Sequence, residues 1–329
     1  MSPHPGSTWR QAIAFIGAVG IALTGATVAV AATDDTDATA AAVSEAAGGA
    51  DAVVDAAPAD SGQLVAEVTA GTVSVDTEPG GAATITSTEG EEISIGLPLE
   101  VETAAGEEAA DGSIVFKGLD STDVVVQVLD DGTRMSTVIR DRQAPTRFSY
   151  PLSEGIEPFI EADGSVSLLK QITVTDPESG QELTGTMLAG TIAAPWARDA
   201  AGRDLRTWYE VDGSVLTQVV KHRVGGVTYP VVADPEASQS WLNRYIWFNH
   251  AETKTLADSG WGAAAISALC ALAGGPPAGL ACLLITGPLV YTAGVANNSS
   301  PRQCVAVRWT YAVVINYAVA FTYHNSHCW

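Results

Sequence analysis

Positive charge is scarce in this sequence and is missing from a long N-terminal stretch. The 329 residues include 16 Lys and Arg against 38 Asp and Glu, which gives a formal net charge of −22. Between Gln11 and Asp111 there are eighteen Asp or Glu residues and no Lys or Arg. Proteins bind nucleic acid through basic surface. The acidity therefore excludes nucleic acid as a partner of the whole chain. Its simplest role is to keep the protein soluble.

The N-terminus lacks acidic residues and has the pattern of a secretory signal peptide. Arg10 precedes an apolar run from Ala12 to Val30, and Ala29-Val30-Ala31 supplies the small residues of a signal-peptidase site. An uncleaved anchor is the alternative, because the run is about long enough to span a bilayer. Under both interpretations the rest of the chain is exported. We predict a signal peptide over residues 1–31 and a secreted protein.

Cysteine is absent before residue 270, and no two cysteines form a C-x-x-C pair. The missing pairs argue against a dithiol redox site or a zinc site. An even number of cysteines in an exported chain predicts two disulfides, with three possible pairings. All four lie near the C-terminus: Cys270, Cys282, Cys304 and Cys328.

Catalytic motifs are also missing. The sequence has no G-x-S-x-G nucleophile elbow and no glycine-rich phosphate loop. His250 with Glu252 or Asp258 offers an acid–base pair, but no nucleophile accompanies it. We therefore predict a non-enzymatic protein without a cofactor. The alternative is an extracellular hydrolase in which His222, His250 or His324 meets a carboxylate and a hydroxyl or metal.

A metal site at the C-terminus is the weaker alternative to disulfides. His324, His327 and Cys328 lie close together in sequence and, with Cys304, offer nitrogen and sulfur ligands. Oxidation outside the cytoplasm favours disulfides between such cysteines. We therefore predict no bound metal.

Composition divides the exported part into a linker and a β-rich region. Residues 32–62 are mostly Ala, Asp and Thr, which cannot bury enough apolar surface to offset chain entropy, so we predict a disordered acidic linker. Residues 63–235 contain short alternating Val-, Ile- and Thr-rich runs separated by turn signals, including Asp131-Gly132, Asp163-Gly164 and Asp212-Gly213. This pattern predicts an all-β domain of antiparallel, sandwich-like type, with a barrel as the alternative.

The β-rich region resembles a known module over about residues 93–235. The resemblance is carried by "ISIGLPLE", "TRFSYPLSEG", "ADGSVSLL", "IAAPWARDAAGRDLRTWYEVDG" and "TYPVVADP". These stretches look like an all-β module of exported actinobacterial-type proteins, in which a closing "YPV…DP" precedes a variable C-terminal domain. The resemblance implies a carrier for that C-terminal domain and no enzymatic chemistry.

We predict a small α+β domain over residues 236–329, beginning with a helix. Large apolar residues recur at helical spacing from Trp241 to Phe248, which predicts an amphipathic helix with Ser240 as its N-cap and Gly260 at its end. The residues "WFNHAETK" and the Cys-bounded tail after them are similar to C-terminal domains of actinobacterial secreted proteins, some of them bacteriocin-like. The resemblance implies that this domain carries the activity.

Residues 260–300 contain no charged side chain. The first arm, 261–273, makes only about 20 Å of helix, which is short of a ~30 Å hydrocarbon layer. The second arm, 278–297, is interrupted at Gly287-Pro288. We therefore predict an apolar helical hairpin that turns at "GGPP" and is tied by a Cys270–Cys282 disulfide.

The tail alternates strictly, because every odd-numbered residue from Val305 to Tyr323 is apolar or aromatic. This period predicts β-structure. Its length favours a hairpin turning near Asn316 and closed by a Cys304–Cys328 disulfide, and one long bent strand is the alternative.

Five tryptophans lie in the last ninety residues: Trp241, Trp247, Trp261, Trp309 and Trp329. Such rings suit a small core, which we favour, or contact with a membrane or partner. With the uncharged run, they motivate the hypothesis of a membrane-active, bacteriocin-like C-terminal domain kept soluble by the acidic region. The partner would be a bacterial membrane surface or another cell-surface component, and an extracellular binding or structural module is the alternative.

Overall fold

The structure is a computed structural model that describes residues 35–49, 52–59, 62–69, 71–177, 179–239, 243–258, 261–310 and 317–329. Residues Thr33–Trp329 form one compact unit by their contacts. The predicted signal peptide, Ser240, Trp241, Gly260 and Asn316 lie outside the described residues.

The first sheet is a regular antiparallel meander. Its five strands follow chain order: β1 (Ala57–Pro58), β2 (Gln63–Val68), β3 (Gly71–Asp76), β4 (Ala82–Ser87) and β5 (Glu92–Gly96). Inward side chains alternate with outward ones in β3 and β4, and Val73 and Ile85 pair across the two strands. The predicted period-two pattern is therefore confirmed here.

The next thirteen strands build a three-stranded sheet and most of a large one. They are β6 (Thr103–Glu108), β7 (Ile114–Gly118), β8 (Thr122–Leu129), β9 (Gly132–Ile139), β10 (Arg147–Pro151), β11 (Ile156–Ile160), β12 (Val166–Thr175), β13 (Glu182–Ile192), β14 (Ala197–Asp199), β15 (Thr207–Asp212), β16 (Val215–Val220), β17 (Val231–Ala233) and β18 (Glu236–Ser238). Strands β10, β16 and β15 form the small sheet, and the others belong to the large one. All pairings are antiparallel, which confirms the predicted β-rich, sandwich-like class.

The three Asp-Gly signals each mark a hairpin, but glycine does a different job at Gly132. Gly164 and Gly213 adopt a positive φ in the turns between β11 and β12 and between β15 and β16, respectively. Gly132 already pairs with Leu129 in the β8–β9 ladder. A Cβ on Gly132 would lie 2.0 Å from the main-chain oxygen of Ala237. Glycine is needed there because β18 approaches the backbone closely.

The acidic segment differs from the predicted disordered linker, because residues Asp35–Ala46 form a helix, α1. Its Ala40 and Val43 are buried against Val115 and Val125 of the large sheet. Lys117 Nζ lies 2.9 Å from the Asp35 carboxylate. The composition of this segment did not predict an ordered helix. Two small apolar side chains are enough to order it because they pack on a face of the large sheet.

The C-terminal region continues the same large sheet. Strand β19 (Asn243–Phe248) pairs with β13 and with β20 (Cys304–Thr310), and β20 pairs with β21 (Tyr317–Tyr323). The predicted boundary at residue 235 falls within this sheet, between β17 and β18. The predicted β-hairpin is present, and its turn lies outside the described residues.

The predicted helix from Ser240 begins later, because residues 243–248 are a strand. Ile246 and Phe248 are buried while Tyr245 and Trp247 are half-buried, which is a period of two. Helix α2 is His250–Asp258. Asn249 Oδ1 accepts from the Glu252 N–H at 3.0 Å, and the Glu252 carboxylate accepts from the Asn249 N–H at 2.8 Å. The aromatic and β-branched residues before Asn249 favour a strand. The reciprocal capping box then fixes the start of the helix.

The uncharged run forms helices α3 (Ala263–Leu283) and α4 (Thr286–Asn297), and a short 3₁₀ turn, Ser326–Cys328, precedes the C-terminus. The predicted break in the run is confirmed, since Gly274 and Gly275 have non-helical dihedrals inside α3. The break predicted at Gly287-Pro288 falls instead at Leu284-Ile285. Pro288 lies in the first turn of α4, where a missing N–H is tolerated.

Candidate functional site

The two disulfides of the C-terminal region join the cysteines that the hairpin symmetry predicts. Cys270–Cys282 spans the break in α3, with 6.3 Å between the Cα atoms. Cys304–Cys328 ties β20 to the 3₁₀ turn, and its Cα atoms are 5.5 Å apart. Both bridges are compatible with an exported protein. The first bridge joins the two arms of the helical hairpin to each other, and the second holds the C-terminus against the sheet.

The Cys270–Cys282 bridge should contribute measurably to stability. Replacing both residues with serine is expected to lower the free energy of unfolding by about 3 kcal/mol, because the bridge closes a short loop in the unfolded chain. Urea unfolding of the double variant, compared with wild type in the absence of reductant, measures this loss. An unchanged midpoint would contradict it.

The outward side of the helical hairpin is an exposed, uncharged surface, which we call the helical apolar face. Leu280, Leu284 and Tyr291 are 66%, 83% and 75% exposed. The face consists of Leu272, Leu280, Leu283, Leu284, Tyr291 and Val295. No residue from 261 to 300 is charged, so the face itself contributes no charged side chain. A group of exposed large apolar side chains on one uncharged segment marks a candidate contact site.

Helix α3 is long and apolar enough to cross a membrane by length and composition, with a mean hydropathy of 1.6. About half of its most apolar stretch is buried inside the protein. Its two arms are separated at Gly274-Gly275 and joined by the disulfide. Only the outward half of the hairpin is therefore available to a partner in this fold.

The tryptophans divide between core and surface. Trp261 and Trp309 are 4% and 1% exposed, as the core interpretation predicts. Trp247 is half-buried with its ring stacked on His327, at 4.3 Å between centroids. Trp329 is 75% exposed. Among the described tryptophans, Trp329 is thus the one best placed for membrane or partner contact.

A second surface lies on the face of β19–β21 opposite the helices, which we call the outer sheet face. Tyr245 pairs with Arg308, and Arg308 pairs with Val319. In the next row Trp247, Ala306 and Phe321 are paired in the same way. Ala306 is buried and His327 stacks on the Trp247 ring, so the accessible part of this face is Tyr245 with Arg308 and Val319. Arg308 supplies a cation whose Nε has no protein partner among the described residues.

The histidines near the C-terminus do not form a metal site with free thiolates. The Cys304 and Cys328 sulfurs lie near His250, and Cys328 Sγ is 3.7 Å from His250 Nε2. Both sulfurs are used in the disulfide, which offers no thiolate ligand. His327 instead lies 2.8 Å from the Glu161 carboxylate, and His324 contacts the Trp329 ring.

The predicted acid–base candidates serve structural roles. Burial raises the pKa of Glu252 to about 7, but its carboxylate caps α2. Asp258 pairs with Lys254 on the surface of the helix. His222 is buried between the Pro145 carbonyl and the Tyr229 hydroxyl, and burial lowers its pKa. Within the described parts of the chain, none of the predicted histidines meets both a carboxylate and a hydroxyl.

The sequence did not reveal the outer sheet face or the buried carboxyl of Asp234. Alternation in "NRYIWF" is a signal for the first, although helical spacing masks it. No local signal marks the second, because burial of Asp234 depends on distant strands.

Comparison with protein-family models, curated proteins and solved structures finds no match.

Proposed function

We propose that the protein is an exported, non-enzymatic protein that binds a lipid surface through the helical apolar face. The observation that carries this proposal is the exposure of six large apolar side chains on a segment without charge. Two disulfides and the signal-peptide pattern of residues 1–31 support export. The acidic β-rich region acts as a soluble carrier.

A lipid surface fits this face better than a protein partner does. Protein interfaces combine an apolar centre with a polar, solvent-accessible rim. Here the exposed positions around the leucines are Ala, Gly and Pro, such as Ala268, Pro276 and Pro277. Hydrocarbon requires no charged or hydrogen-bonding partner, and Tyr291 suits the interface between hydrocarbon and water. The half-buried arms favour lying on the surface over spanning it.

Vesicle binding tests the proposal. Residues 33–329 with both disulfides intact are expected to sediment with phosphatidylcholine vesicles. Binding to phosphatidylglycerol vesicles should be weaker at low salt and should recover as salt increases, because the acidic chain is repelled by anionic lipid. Failure to bind either vesicle, or stronger binding to anionic vesicles at low salt, would contradict the proposal.

The bacteriocin-like resemblance adds a narrower hypothesis, which is that contact also permeabilises the membrane. Release of a trapped dye from the same vesicles measures it. Binding without dye release would limit the function to surface contact.

The outer sheet face favours a second candidate function, binding of an acidic cell-surface glycan. The Tyr245 ring presents a flat apolar surface to a sugar ring, and the neighbouring Arg308 offers a planar fork for a carboxylate. Titration of tryptophan fluorescence with oligogalacturonate, in wild type and in Arg308→Ala, tests this candidate. An oligogalacturonate response that survives in Arg308→Ala, or an equal response of wild type to a neutral oligosaccharide of the same length, would contradict a role for the cation.

A further inference from the structure

Four buried polar side-chain atoms, one of them a carboxyl oxygen of Asp234, have no protein partner in the part of the chain that the structure describes. They are Asp234 Oδ2, Ser136 Oγ, Tyr209 Oη and Gln218 Oε1. Their residues are at most 5% exposed. Gln218 pairs with Tyr209 and donates to the Trp196 carbonyl, whose own N–H donates to Asp234 Oδ1 at 3.0 Å. Such groups are usually satisfied by internal water.

Asp234 lies at a junction in the large sheet. Strand β17 ends at Ala233 opposite Thr137, and β18 begins at Glu236 opposite Arg134, so Asp234 and Pro235 lie opposite Ser136 and Met135 of β9. The Pro235 carbonyl accepts from the Met135 N–H at 2.8 Å. The Asp234 carboxyl is therefore fixed at one oxygen and unpaired at the other, next to its own peptide bond to proline.

Burial raises the pKa of Asp234 to about 8. The carboxyl consequently keeps its proton at neutral pH. An unfolded Asp-Pro sequence holds that proton only under acidic conditions, where such bonds are known to be labile. At neutral pH the folded chain therefore has the protonated Asp234 carboxyl that an unfolded chain has only in acid.

We propose that Asp234 cleaves its own peptide bond to Pro235 in the folded protein. The side-chain Oδ2 attacks the main-chain carbonyl carbon of Asp234 and closes a five-membered cyclic anhydride. The C–N bond breaks, and the carboxyl proton passes to the Pro235 nitrogen, which leaves as an amine. One water then opens the anhydride, restoring the side-chain carboxyl and leaving a new α-carboxyl. No oxidant or other co-reactant is needed.

Cleavage would separate the covalent chain at the predicted end of the carrier region. Neither disulfide crosses the bond, since both join cysteines after residue 235. The two pieces would remain associated, because β18 pairs with β9 and β19 pairs with β13. Release of the C-terminal piece would then require the sheet to open and the helices to separate from the shared core.

The chain contains an internal control for this chemistry. Its other Asp-Pro bond, Asp176-Pro177, lies in the turn between β12 and β13. There the Asp176 carbonyl accepts from the Gly180 N–H at 2.8 Å. Among the described residues, no group of partnerless buried atoms surrounds that bond.

Intact mass after incubation tests the proposal. Folded residues 33–329, held at pH 7 and 37 °C and then denatured without reductant, are expected to yield pieces ending at Asp234 and beginning at Pro235. Cleavage should be at least tenfold faster there than at Asp176-Pro177. In urea at the same pH the difference should vanish, and in dilute acid both bonds should break.

Two variants separate self-cleavage from proteolysis. Asp234→Asn should stop cleavage because its amide is a poor nucleophile, and Pro235→Ala should slow it at least tenfold while leaving the carboxyl in place. Circular dichroism verifies folding of each, and either folded variant decides the question. An intact wild-type chain, equal cleavage at both Asp-Pro bonds, or cleavage that persists in folded Asp234→Asn would overturn the proposal.

Discussion

Replacing Trp309 with alanine is expected to lower the free energy of unfolding by about 3–5 kcal/mol. Trp309 is 1% exposed and lies on the inner side of β20. A Cβ on Gly274 would be only 2.3 Å from Trp309 Nε1, so the indole fills the break in α3 directly. Its loss would leave a cavity where the helical hairpin meets the sheet, which cannot collapse while the disulfide fixes both arms.

Urea unfolding followed by circular dichroism measures this loss. Trp329→Ala is the matched control, because the same side chain there is 75% exposed and should cost less than about 1 kcal/mol. Equal effects of the two substitutions would show that the hairpin is not packed on the sheet through Trp309.

Asp234→Asn is expected to become more stable relative to wild type as pH rises. The folded pKa of Asp234 is raised to about 8 from 3.8, so its contribution favours folding fully only below the unfolded value and is lost as pH rises through the folded value. The stability difference between Asp234→Asn and wild type should therefore change by about 3 kcal/mol between pH 5 and pH 8. Comparing the two chains removes contributions that they share, such as that of His222.

A second buried aspartate is the control for this pH series. Asp199 accepts from the N–H groups of Ala201, Arg203 and Thr228, and from the Arg203 guanidinium. These donors, despite burial, hold the pKa of Asp199 well below its usual range. Asp199→Asn should therefore destabilise the protein equally at pH 5 and pH 8. A flat response in Asp234→Asn would show that its carboxyl is solvated.

Local patterns in the sequence were sufficient for the features that depend on neighbours along the chain. The hairpins follow from alternation and turn residues. The break in α3 follows from Gly274 and Gly275, and the Cys270–Cys282 bridge follows from the hairpin that this break creates. In each case the residues that interact are close in sequence.

The features that the sequence did not predict depend on distant partners. Residues 243–248 fit both a helical and an alternating pattern. They form a strand because they pair with β13 and β20. Helix α1 is ordered by the apolar face of β7 and β8, which its own composition does not reveal. The carboxyl of Asp234 is buried only because β9 and the Trp196 backbone enclose it.

Binding of charge-substituted variants to phosphatidylcholine vesicles tests the role of the helical apolar face most directly. Leu280→Asp/Leu284→Asp places two charges on this face, and desolvating them should weaken vesicle binding at least tenfold. Leu119→Asp is the matched control, because Leu119 is 69% exposed and lies between β7 and β8, outside that face. We predict that it binds like wild type. Equal binding by all three proteins, or equal loss in both variants, would contradict the assignment of lipid contact to the helical apolar face.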